Sequence, residues 1–167
     1  FEPLRPWLVG LQLANMQIQS RGADASAGVE TILSEAAKDA RKSMRYLESI
    51  EQQIQIFANL SREQETRMLE VSLVQWLEQP DLLDKIVAAW LVGDVEQVGE
   101  MLQSAINDPA IYAAMLTNRN QDWARQIKDV MDGSGRYFIA VGTGHLIGKG
   151  SVQDYLRVHG LTAVRVQ

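Results

Sequence analysis

Helix starts and stops recur so densely along this chain that they leave room for only a few other elements. Ser49 is followed three residues on by Gln52, and Ser61 by Gln64. Each pair has the pattern of a capping box, in which the serine hydroxyl and the glutamine amide satisfy each other's backbone N–H groups at a helix start. Gly93-Asp94 sets a glycine stop against an aspartate cap, Asn107-Asp108-Pro109 caps a further helix, and Gly133 closes NQDWARQIKDVMDG. Pro6 stands near the start of a first helix ending at about Ser20. In GVETILSEAAKDARK, residues Val29, Ile32, Leu33, Ala36, Ala37 and Ala40 follow the helical apolar period. Met68, Leu69, Leu73, Trp76 and Leu77 form one apolar face in the helix that Pro80 breaks.

Three stretches read instead as strands: SMRYLES, Tyr137–Val141, and the alternating tail LTAVRVQ. The last two flank a short helix capped by Ser151 and Asp154, so the order predicts a β-α-β unit with a right-handed crossover and parallel pairing. The expected fold class is α/β (α+β), helix-rich, with a small sheet of about three strands. A sheet that small is marginal, which marks it as an incomplete piece of a larger one. One domain spans residues 1–167, with a helical subregion over 61–117.

With 46% hydrophobic residues, the 167-residue chain is able to bury a core. Its 21 acidic and 16 basic residues are scattered, and a formal charge of −5 offers no footprint for nucleic acid or anionic membrane. No apolar run approaches the roughly 20 residues of a membrane span. The absence of cysteine excludes disulfides, thiolate metal sites and a cysteine nucleophile without fixing the compartment.

The richest chemistry lies in RYFIAVGTGHLIGKGSVQDYL, where a β-branched and aromatic run opens onto glycines around His145. It is not a Walker A loop: before Gly148-Lys149 that motif requires glycine at Thr143, and Gly142 is one residue too far. Nor is it a dinucleotide fingerprint, because the third glycine falls at Gly148 and not at Ile147. A metal site remains open, His145 being one donor of the three or four a metal needs; a hydrogen-bonded structural histidine is the alternative. Glu48, at the end of a predicted strand and just before a cap, is either a partner for His145 or an acidic residue suited to a helix N-terminus. Arg119-Asn120 offers a guanidinium for a carboxylate or oxyanion and an amide with donor and acceptor, although capping by Asn118 or Asn120 accounts for part of it. His159, beside Gly160, reads as a helix-end residue, and Trp76, Trp90 and Trp123 as core or interface.

Taken together, RNQDWARQI, FIAVGTGHLIG and LRVHGLTAVRV resemble, in content and order, the end of the TraB family (TraB/PrgY/GumN), to which the Tiki-type metalloproteases are similar. The resemblance runs from about Gly28 to the C-terminus and is softer upstream, where GVETILSEAAKDARKSMRYLESIEQQIQIFANL matches a small-residue helix, a strand ending in Leu-Glu and a glutamine in the following helix, here Gln53. Family members carry two G-x-x-H motifs, a glutamate and an Arg-Asn pair around a metal-binding centre. Carried over by position, these imply catalytic roles for Glu48, Arg119, Asn120 and His145, with Glu48 and His145 as metal ligands.

The first G-x-x-H motif is absent, the only other histidine being His159; Ser151 stands where glycine is common and Glu30 where aspartate is common. The expectation is therefore a C-terminal piece of a larger protein, lacking strands and a histidine that precede Phe1. The whole protein would be a metal-dependent hydrolase, possible substrates being peptides, using Mn, Co or Zn. The piece alone would be metal-free and inactive. A non-catalytic peptide- or protein-binding module is the alternative. A bare sheet edge would favour a homodimer, and the resemblance leans the location towards the periplasm or exterior.

Overall fold

A computed structural model describes residues 4–106 and 108–166, with the side chain of Ala25 left out. Asn107, expected in the cap before Pro109, lies outside the described residues, as do Phe1 and Gln167. The chain divides into two compact units, residues 1–78 and 79–167.

The first unit contains α1 (Pro6–Ser20), α2 (Val29–Asp39), α3 (Ile50–Ala58) and α4 (Arg62–Glu78). Both capping boxes form. Ser49 N–H donates to Gln52 Oε1 at 2.7 Å and Gln52 N–H to Ser49 Oγ at 3.2 Å, and Ser61 and Gln64 repeat the exchange at 2.9 and 3.2 Å. Helix α1 packs on α4 at the buried Gly10, where an added Cβ would lie 3.7 Å from Met68 Cε. Trp7 stacks on Phe57 with ring centroids 5.6 Å apart. Arg5 ties these elements together: Nε donates to Glu65 Oε1 at 3.1 Å, and Nη1 donates to the Ala58 carbonyl at the end of α3 at 2.9 Å.

The second unit contains α5 (Leu82–Leu91), α6 (Val95–Ala105), α7 (Pro109–Tyr112), α8 (Asn118–Met131) and α9 (Val152–Val158). The expected stop at Gly93 (φ +71°) and cap at Asp94 are present, with Gln97 N–H donating to Asp94 Oδ1 at 3.0 Å. Asp108 accepts from the N–H groups of Ala110 and Ile111, and Ser151 from Asp154 N–H. Between α7 and α8 runs a π-helical turn, Ala113–Thr117, so the chain is helical from Pro109 to Met131 without a break. On α8 the buried residues Asn120, Trp123, Ala124 and Ile127 share one face, and this helix packs on α9.

The expected α/β class is overturned: among the described residues no strand or sheet forms, and the protein is helical. Residues 136–141 and 161–166 are irregular, as are 42–46, so neither the three-stranded sheet nor the β-α-β unit forms among the described residues. The physical reason is that alternation of apolar side chains describes burial on one face, whereas a strand is a hydrogen-bonded pairing that needs a neighbour. These stretches have none, and Tyr46, Phe138, Val164 and Val166 remain largely exposed. The sheet edge on which a homodimer was expected to form is therefore absent among the described residues. No described helix is long and apolar enough to cross a membrane.

Candidate functional site

The G-x-x-H spacing is one turn of helix. His145 N–H donates to the Gly142 carbonyl at 2.9 Å, closing a short 3-10 turn over Thr143–His145. That turn directs the imidazole inward, where it is buried with 7% of its surface exposed. Trp90 steadies the outer side, its indole N–H donating to Thr143 Oγ1 at 3.0 Å.

Against the imidazole lies the buried face of α8. His145 Nδ1 is 2.6 Å from Asn120 Oδ1, and the Trp123 ring lies 4.3 Å from the imidazole, centroid to centroid, at 42°. Asn120, only 1% exposed, donates from Nδ2 to the Gly150 carbonyl at 2.7 Å. A carbonyl can only accept, so this bond fixes which end of the amide faces the histidine. The end turned to His145 is the oxygen, which also can only accept. Nδ1 must then carry the proton, and in the neutral ring Nε2 holds the lone pair.

The loop is held from its other end by Asp154, whose Oδ2 accepts from Gly150 N–H at 3.0 Å. Burial pushes the Asp154 carboxyl up, but the Gly150 N–H, the Arg157 guanidinium and the Ser151 N–H outweigh it, and the net direction is down. Both polar groups of Gly150 are thus bound by side chains. Its φ of +80° and the 2.6 Å that would separate an added Cβ from Thr117 Cγ2 explain why glycine stands there.

Arg119 donates from Nη1 to the Met115 carbonyl at 2.8 Å, and its guanidinium carbon lies 4.8 Å from the Trp123 ring centroid. Arg119, Asn120 and His145 thus meet around one tryptophan. Neither Asn118 nor Asn120 is the N-cap of α8, because the helix continues from the π turn and its first residues are already helical. Glu48 belongs to the first unit, where its Oε1 accepts from Gln53 Nε2 at 2.8 Å. Among the described residues no three His, Cys, Asp or Glu side chains converge to hold a metal ion, so the donors present do not make a metal site by themselves. His159, as expected, sits at the end of α9.

Two contributors escaped the sequence. Trp123 was expected only as core or interface, and it is buried but also packs on His145; its position four residues after Arg119 was the available sign. The Gly150 carbonyl carried no signal, because its role depends on a fold that returns it to a residue 30 positions earlier.

The G-x-x-H turn and the Arg-Asn pair thus lie side by side, with the histidine against the asparagine on the buried face of α8. The chain belongs to the TraB/PrgY/gumN family, whose sequence model matches residues 1–165 and so takes in the first helix as well. It is similar to the protein YbaP of Escherichia coli (strain K12), with 28% identity over 151 residues, 90% of this chain and 56% of that protein. YbaP of Shigella flexneri matches to the same extent. The chain thus spans little more than half the length of these relatives. No solved structure matches it.

Proposed function

We propose that this chain supplies the histidine of a hydrolytic centre that acts on peptide bonds in the whole protein. The observation that supports it most is the 2.6 Å contact of the buried His145 Nδ1 with Asn120 Oδ1: a proton committed to that contact makes Nε2 the basic nitrogen of the neutral ring. Such a nitrogen takes a proton from an attacking water or donates its lone pair to a metal. Asn120 acts here on His145, holding its ring and tautomer. Arg119 keeps a positive charge beside the same tryptophan, suited to a substrate carboxylate or a developing oxyanion.

A divalent ion such as Mn, Co or Zn belongs to this proposal only at the level of the whole protein. This chain would give it His145, with Glu48 as the other donor proposed. The test is peptide cleavage by the full-length protein with each metal added, compared with His145→Ala. Cleavage that depends on His145 is expected; equal cleavage by the variant removes it from the reaction.

A further inference from the structure

Beside the histidine, on the other side of its loop, lies a cleft of about 840 Å³ that none of Glu48, Arg119, Asn120 or His145 lines. Its volume is in the range of pockets that hold small ligands or a few residues of a peptide. Leu102, Leu116, Ile147 and the glycine backbone at Gly144 form an apolar part of its lining. Helix α6 meets the loop closely there, since an added Cβ on Gly99 would come within 2.7 Å of Ile147 Cγ2.

The charge of the lining is one-sided. Glu96 and Glu100, one helical turn apart on α6, both contribute and both are exposed, with Gln103 a turn further on. Like charges at that spacing repel each other, and a cation placed between them relieves the repulsion. Asp154 is already engaged by Gly150 N–H and Arg157. Among the described residues of the lining, Lys149 is the one basic residue, against three acidic ones. An apolar floor beside two carboxylates complements a side chain such as leucine next to a lysine or arginine.

We infer that this cleft is a recognition site for a peptide segment in which an apolar residue adjoins a basic one. Ile147 and Gly144 line the cleft and flank His145 within two residues, so a bound segment lies against the loop that carries the histidine. That such a segment is the substrate rests on the hydrolytic proposal above; that it binds does not.

Titration of blocked hexapeptides by calorimetry tests the inference. One peptide carries leucine beside lysine; the others replace lysine by glutamate or leucine by serine. The lysine peptide is expected to bind, both replacements to weaken it about tenfold or more, and added salt to weaken it further. The double variant Glu96→Gln/Glu100→Gln is expected to lower affinity for the lysine peptide about fivefold, the product of two exposed charge pairs. Amide shifts on titration should centre on Gly99, Gly144 and Gly148. Equal binding of lysine and glutamate peptides, unchanged affinity in the double variant, or no binding of any peptide overturns the inference. Selective binding combined with cleavage that ignores His145 overturns the hydrolytic proposal alone.

Discussion

Asn120 Oδ1 stands 2.6 Å from His145 Nδ1 across 25 residues of chain, and the same amide donates to the Gly150 carbonyl at 2.7 Å. An asparagine inside a helix is ordinarily a weak choice, because its side chain competes for backbone groups. Here both ends of the amide are used by partners outside α8, and the result is a histidine held in one tautomer.

This makes a spectroscopic prediction. At about pH 8.5, where an ordinary imidazole is neutral, long-range proton–nitrogen correlation should show His145 protonated at Nδ1. In Asn120→Ala the population should move towards Nε2–H. The variant also leaves the buried His145 Nδ1 without the amide, at about 1–3 kcal/mol, and the half-buried Gly150 carbonyl at less, measurable by urea unfolding. An Nε2–H tautomer in the unaltered protein would show that the amide does not set it.

Gly150→Ala should be among the more damaging single substitutions in the second unit. A non-glycine residue at φ +80° is strained by about 1–2 kcal/mol, and the new methyl would also press on Thr117 at 2.6 Å. The two causes separate in a double-mutant cycle. Thr117→Ser removes the Cγ2 and should recover the steric part only, leaving the double variant about 1–2 kcal/mol less stable than Thr117→Ser alone. Full recovery would mean that the backbone conformation carries no cost.

Gly142 should behave in the opposite way. Its φ of −58° and ψ of 142° suit any residue, and an added Cβ would sit 3.8 Å from His145 Cδ2, an ordinary contact. Gly142→Ala is therefore expected to raise stability by about 0.4–1 kcal/mol through the unfolded chain. Cδ2 is bonded to Nε2, so the methyl would crowd the edge of the ring assigned to chemistry. The expected pair of results is higher thermal stability and slower peptide cleavage; a variant more stable and equally active would show that this glycine serves only the turn.

What could be read from the sequence follows the range of the interactions. Capping by Ser49, Ser61, Asp94, Asp108 and Ser151 involves partners two or three residues away, and each formed as the residue pattern implied. The strands expected in SMRYLES, at Tyr137–Val141 and in LTAVRVQ did not form among the described residues, because a pairing partner is a property of the fold and not of the segment. The π turn at Ala113–Thr117 hid in the same way: it carries α7 into α8 without a cap, and so turned an expected helix start into a helix interior. His145 and Asn120 were visible as residue types and through the family resemblance, but their bond needed the loop's return to α8. Arg5 and Glu65, 60 residues apart, left no trace at all.

That last pair gives a pH prediction for the first unit. The Arg5 hydrogen bond holds the Glu65 carboxyl below its ordinary value, outweighing the burial that pushes it up. A depressed folded value means that the folded state binds protons less readily than the unfolded one. The stability contributed by Glu65 is then fully present above the ordinary glutamate value of about 4.5 and is lost as pH falls through the depressed folded value. Glu65→Gln keeps the shape but cannot ionise. The difference in urea midpoint between the two proteins should be constant near neutral pH and shrink as the solution is acidified below about 4.5. A difference that stays the same down to the acid limit of folding would show that the ion pair with Arg5 contributes nothing through its charge.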